Sequence, residues 1–327
     1  MLSLRRGHVT AVVERHEGLA RLEVDGTPCI AYPKLTGPVA LGDEVLVNVQ
    51  ARGLALGSGG FDVLYANLTR GLELPAEDRA HVMKLPYTPL QFAVRHGEED
   101  SALPERLDGL PVVACSLHSQ VVPVCAALGG LKVAYVQLSG GALPIALSDA
   151  LRELRAHDLL HLTIGAGECF GGDADAVNVY SGLLLARAQD VDVTVCAIGP
   201  GIVGTGTRLG HGGMATAAAL DATAQLGGRG VLALRMSTGD VRGRHRGVSH
   251  HSEAVVARTN GSFAVAWPSG CPFDGIETPT TEVDVADWRR ACDGLPLDHM
   301  GRGPEDDPWF FAAAFAAGRL ARRFVGA

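Results

Sequence analysis

Two rhythms of apolar and polar residues divide the chain. From residue 7 to about 65, short stretches alternate with period two: His8–Glu14, Leu19–Val24, Cys29–Tyr32 and Glu44–Val49, with turns at Asp25-Gly26 and Gly42-Asp43. A helical period of useful length is absent, and a small β-barrel is the expected form because closure removes exposed strand edges. Residues 66–109 read as a connector, with a short helix around Ala76–Met83. Lys84-Leu85-Pro86-Tyr87-Thr88-Pro89 cannot continue that helix.

From residue 110 the rhythm changes. Continuous apolar runs at Pro111–Leu117, Lys132–Leu138, Leu159–Ile164, Val191–Ile198 and Gly230–Met236 alternate with amphipathic stretches at Gln120–Leu128, Leu147–Ala156, Ala174–Ala188 and Met214–Leu226. Unbroken apolar strands joined by helices are buried parallel strands covered on both faces. The expected fold class is therefore α/β: a doubly wound, mostly parallel three-layer sheet domain over residues 110–327, behind the barrel of residues 1–65. Phe263–Trp267 is a further strand candidate, and Trp309–Phe324 a final helix started by Asp306-Asp307-Pro308.

Composition narrows the class of function. Of 327 residues, 47% are apolar and 42 are Gly, which fits an α/β core of Ala, Val and Leu with tight turns. A net charge of −8 opposes a primary role on nucleic acid or an anionic membrane. Seven cysteines without a C-x-x-C pair read as reduced, mostly buried thiols. The start shows no signal peptide, and the apolar tract Val121–Leu147 is broken by Gly, Lys and Pro. Together these features point to a cytoplasmic protein.

Open parallel sheets bind ligands beyond the carboxyl ends of their strands. Here those loops are small, polar or Gly-rich: 116–119, 139–141, 165–173, 199–213 and 237–251. Gly199 to Thr207 contains G-x-G-x-x-G after a strand, but the acidic residue that a dinucleotide site wants about 20 positions later is missing. The backbone at Gly201, Gly204 and Gly206, with Thr205 and Thr207, suits an anion at a helix start. In Asp240 to His251, Arg242, Arg244 and Arg246 alternate, a self-repelling row if extended unless an anion or carboxylates lie opposite; His245, His250 and His251 add donors or metal ligands. The bland reading of that stretch is a salt-bridged surface or subunit contact, which leaves room for a homo-oligomer. Glu168 and His250 are candidate proton carriers. Asp173 is a ligand candidate whose bland reading is the cap of a helix beginning at Ala174. His118, beside Ser119, suggests hydrolysis, although no G-x-S-x-G elbow occurs.

Several motifs together resemble one bacterial family, known only as domain of unknown function 3866. They are Gly171-Gly172-Asp173…Val177-Asn178-Val179-Tyr180-Ser181-Gly182, the Gly199–Thr207 loop, Arg244-His245-Arg246-Gly247-Val248-Ser249-His250-His251, Met300-Gly301-Arg302-Gly303, and Met83 to Pro89 in the connector. The sequence departs from the resemblance at Leu209-Gly210-His211-Gly212-Gly213, where it implies a more acidic helix start. No activity is established for the family, so the resemblance implies no catalytic role or cofactor. The residues themselves point to an enzyme acting on a small anionic, phosphorylated metabolite. Gly201–Thr207, Arg244 and Arg246 would hold the anion, and Glu168 or His250 would move the proton. A non-catalytic metabolite-binding or assembly protein, and more weakly a metal-dependent hydrolase, are the alternatives.

Overall fold

The computed structural model describes residues 2–54, 60–70, 73–100 and 102–326. The chain divides into two compact units, Met1–Arg95 and His96–Ala327.

In the first unit, β1 (Leu4–His16), β2 (Leu19–Val24), β3 (Thr27–Ala31), β4 (Glu44–Asn48) and β5 (Asp62–Asn67) close a barrel in the order β1-β2-β3-β5-β4. One-turn helices α1 (Pro33–Thr36) and α2 (Gln50–Gly53) precede β4 and β5. Strand β1 pairs with β2 on one side and β4 on the other, and register shifts after Val9 and Val12 bend it to serve both. Alternate residues point inward, so Val9, Leu22, Val24, Val45, Val47 and Leu64 form the barrel core. The helix expected around Ala76–Met83 does not form: residues 82–84 are instead β6 (Val82–Lys84), paired with β7 (Phe92–Val94). Three residues of extended backbone beside a partner satisfy more of the chain than a single turn of helix ahead of Pro86 could.

The second unit is the expected α/β domain. Its strands are β8 (Pro111–Cys115), β9 (Val133–Leu138), β10 (Leu162–Ala166), β11 (Ala174–Ala176), β12 (Val193–Ile198), β13 (Arg229–Ala233), β16 (Phe263–Pro268) and β17 (Thr281–Val283), with a two-residue ribbon, β14 (Met236–Ser237) and β15 (Gly247–Val248), lying between β13 and β16 in sequence. The eight form one sheet in the order β11-β10-β9-β12-β8-β13-β16-β17, and every pairing is parallel. The helices are α3 (Val121–Ala127), α4 (Asp149–Ala156), α5 (Val179–Ala188), α6 (Ala215–Gln225), α7 (His250–Val256), α8 (Trp288–Ala291) and α9 (Pro308–Arg322). Alternation within buried strands sorts the faces. Val113, Cys115, Val133, Tyr135 and Val195 pack with α3, α4, α8 and α9, while Val112, Ala134, Val136 and Cys196 pack with α5 and α6. The cysteines are all free, and all but Cys271 are buried. Burial pushes the thiols of Cys125 and Cys196 up to about 12, so they act as small apolar groups.

The stretch expected as one helix from Ala174 to Ala188 is two elements. Residues 174–176 pair with β10 as the edge strand β11, and α5 starts three residues later under Asn178. The Asn178 side chain accepts from the amides of Tyr180 and Ser181, and the Ser181 hydroxyl answers the Asn178 amide. That reciprocal cap fixes the helix start there rather than at Asp173.

Strand β9 continues into loop 139–142 and β12 into loop 199–213, and the two loops touch backbone to backbone. The amide of Ala142 donates to Pro200 O at 2.8 Å, and that of Val203 to Gly140 O at 3.0 Å. A Cβ on Gly199 would collide with the carbonyl oxygen of Ala142, and one on Gly212 with that of Gly140. These glycines are required by close approach. Gly212→Ala should lower the unfolding free energy by about 2–3 kcal/mol in urea titration, since backbone must move. Gly275→Ala, with open space around its Cβ, should stay within about 0.5 kcal/mol.

Candidate functional site

Beyond β13 the chain carries an arginine where the strand pattern expects an apolar residue. Arg235 is 1% exposed and the largest fully buried side chain among the described residues. Its Nη2 donates to Asp240 Oδ2 at 3.2 Å, and its Nη1 lies 3.2 Å from Nδ1 of His251. Asp240 is equally buried and takes two further guanidinium groups: Arg242 from Nε (2.9 Å) and Nη2 (2.7 Å), and Arg302 from Nη2 (3.4 Å). Burial alone would raise the Asp240 carboxyl, but hydrogen bonds and charge from Arg242, with the charge of Arg235, hold it well below the usual range. Arg235 is lowered to about 10, by burial first and then by Arg242, and stays charged at neutral pH. Arg302 also donates to Asp307 at 3.2 Å. Asp307 stands before α9, yet its side chain does not cap that helix; it accepts from Ser237 Oγ (2.6 Å) and the Thr238 amide (2.9 Å) and so ties loop 237–239 down.

Four imidazoles stand against this network. The three arginines at alternate positions do not form an extended row, because Gly243–His245 is a 3₁₀ turn. Arg242 turns to Asp240, Arg246 donates from Nε to the Asp240 carbonyl at 3.1 Å, and exposed Arg244 lies over Gly206. The turn buries His245. His250 and His251 open α7, capped by Ser249, and successive helical positions let both rings face the same cluster. His211 comes from the root of a hairpin in which Gly204 pairs with His211. His211 stacks on His251 at 3.7 Å between ring centroids; His245 lies 4.9 Å from both His250 and His251.

Hydrogen bonds fix which edges these rings present. Arg235 can only donate, so Nδ1 of His251 accepts and its Nε2 carries the hydrogen. Buried Ser249 Oγ already accepts the His251 amide at 3.2 Å and lies 2.7 Å from Nδ1 of His245. With two lone pairs on the Ser249 oxygen, either partner can donate in that second contact. Nε2 of His250 is buried without a hydrogen bond. Neither ring nitrogen of His211 makes a full hydrogen bond, although the Arg208 carbonyl acts on the ring. One nitrogen from each of His245, His250 and His251 falls within 4.8 Å of the others, close enough to share an ion. A cation there would need the lone pair of His251 that Arg235 occupies and would face Arg235 and Arg242, so the donor set suits an oxyanion. Burial and then the charge of Arg235 lower His245 to about 3; burial and then His211 and Arg235 lower His251 to about 2. His299, stacked on Phe310 with Nδ1 3.1 Å from Ser119 Oγ, is lowered to about 3 by burial and then Arg235.

The remaining candidates lie elsewhere. Thr205 and Thr207 share a 2.9 Å hydrogen bond, and their hydroxyls bond Gly210, so they close the hairpin. Gly201 and Gly206 take positive φ, and residues 203–209 are exposed, ahead of α6 rather than at its start. Glu168 is exposed and accepts from Ser139 Oγ. Asp173, expected as a helix cap or a ligand, accepts from Arg155 and from the Thr163 amide at 2.7 Å beside β11. His118 Nε2 is 2.6 Å from Ser148 Oγ, which caps α4 by accepting from Leu151, and Nδ1 is 3.3 Å from the Tyr135 hydroxyl. Burial lowers His118 to about 4. Ser148 is 3% exposed, and its contact with His118 ties that loop to the start of α4. Sequence reasoning missed Arg235 and Asp307 as parts of the site. The signal for Arg235 was a charge inside Val231-Leu232-Ala233-Leu234-Arg235-Met236.

The all-parallel sheet with its helices defines an α/β protein, and buried arginine and imidazole gather at the carboxyl end of β13. Residues 28–271 match the family described as "Protein of unknown function (DUF3866)", and the chain belongs to that family. No curated protein matches it. Among the described residues no helix is long and apolar enough to cross a membrane.

Two tests follow from the network. Asp240→Ala leaves three guanidinium groups without their shared carboxylate and should cost about 3–5 kcal/mol in denaturant unfolding. The histidines, with folded pKa values below 6.5, contribute stability that is complete above pH 6.5. It is lost as pH falls toward 3, because the unfolded chain takes up protons that the buried rings refuse. The melting temperature should therefore drop steadily from pH 6.5 to 4.5, above the range where carboxylates titrate; a flat profile there would contradict neutral buried rings.

Proposed function

We propose that this protein is an enzyme acting on a small anionic, phosphate-bearing metabolite at the carboxyl edge of its sheet, with His250 as the group that moves a proton. One observation carries the reading: one ring nitrogen from each of His245, His250 and His251 lies within 4.8 Å of the others, buried Arg235 meets Nδ1 of His251, and Nε2 of His250 has no hydrogen-bond partner. Buried polar groups left without partners are rare and call for a missing water or ion, and these stand among guanidinium groups. Exposed Arg244, over Gly206, is the group at the mouth that meets the anion first. His250 is preferred to Glu168 because it stands in the cluster and Glu168 is engaged with Ser139.

Thermal unfolding against a panel of sugar phosphates and nucleotides tests this. A bound member at a hundredfold excess over its Kd should stabilise the protein by roughly 2.7 kcal/mol. Arg244→Ala should weaken that response with little change in the melting temperature of the free protein. Absence of any shift across the panel would refute the reading. Incubating the strongest binder with wild type and with His250→Asn then separates turnover from binding alone.

A further inference from the structure

We propose that the histidine pocket receives a fully ionised tetrahedral oxyanion, the terminal phosphate of the metabolite, and takes a proton from solvent onto His250 as that anion enters. The inference rests on the anion-binding reading above and deepens it.

Nε2 of His251 is an N–H group, because its Nδ1 accepts from Arg235. The nearest carboxylate is spent: Asp240 Oδ1 accepts from Arg242 N and Nε, and Oδ2 from Arg242 Nη2, Arg235 Nη2 and Arg302 Nη2. A P–OH hydrogen therefore has only an imidazole lone pair to receive it, and an anion without such a hydrogen needs His250 to become a donor.

The groups that face His250 decide when it does. From the hairpin comes His211; from the 3₁₀ turn come Arg242, Arg244 and His245; from the end of β13 comes Arg235; from its own helix comes His251. Glu253 on α7 is exposed, and Asp221 on the neighbouring α6 is turned to the amides of Asn260 and Gly261. Burial comes first, and then these imidazoles and guanidinium groups lower the proton affinity of His250. A dianion placed among the same rings reverses the sign of the field and raises that affinity. The proton comes from bulk water, and the complex gains two negative charges and one positive.

The experiment is isothermal titration calorimetry of the full chain with sulfate, which carries no proton near neutral pH, in buffers of differing ionisation enthalpy. The expected result is uptake of up to about one proton per sulfate at pH 7, with affinity falling toward about tenfold per pH unit above it. Inorganic phosphate should show smaller uptake, since it brings a proton of its own. His250→Asn should abolish the uptake, and His211→Asn should keep it. In the wild-type protein, an NMR titration of the His250 ring should show its pKa rising on sulfate addition, a readout that survives a variant failing to fold. Sulfate and phosphate binding without buffer dependence would sink this inference and leave the anion reading standing. Failure of both ions to bind, together with silence of the metabolite panel, would remove the reading itself.

Discussion

The contact on which the candidate site depends is the buried pairing of Arg235 with Asp240. A guanidinium removed from water is costly unless its charge and donors are met. Here Asp240 meets them and in turn draws in Arg242 and Arg302, while Asp307 holds Arg302 and the loop at Ser237 and Thr238. Loop 237–246 and the segment before α9 are thereby fixed to the end of β13. With three guanidinium groups and two carboxylates, the knot keeps a positive excess. That excess, added to burial, explains why the adjacent imidazoles are neutral.

The glycine-rich walls and the charged knot do different jobs. Loops after β9 and β12 need glycine at positions 140, 199 and 212 because their backbones touch, and the threonines of the 199–213 loop close its own hairpin. What the hairpin supplies to the site is placement of His211 at its root and a Cβ-free Gly206 beneath Arg244. The loop read from its composition as an anion cradle is thus held by its own threonines and carries His211 at its root.

Much of the fold was legible because buried parallel strands advertise themselves as unbroken apolar runs. β2 is read residue for residue, the five strands from residue 111 to 236 are placed, and Phe263–Trp267 does extend the sheet. Ala174–Ala188 misled because a three-residue edge strand leaves no periodicity to detect, and Asn178 capping α5 was hidden among equally good caps. The Arg/His stretch was recognised as unusual, but its geometry was not. Alternation implies a shared side only in a strand, and the 3₁₀ turn at 243–245 followed by α7 at 250 sends the arginines apart and the histidines together. His299 and Asp307 join from more than fifty residues away, a proximity that local pattern cannot carry.

The direction of the hydrogen bonds then separates two chemistries that composition leaves equal. Three histidines with nitrogens in a small volume suit a metal as readily as an anion, so long as the rings alone are counted. Arg235 breaks the tie, because a group that can only donate turns Nδ1 of His251 into an acceptor and its outer edge into a donor. A neutral imidazole of fixed tautomer beside a permanent cation is the feature on which the proposed anion reading rests.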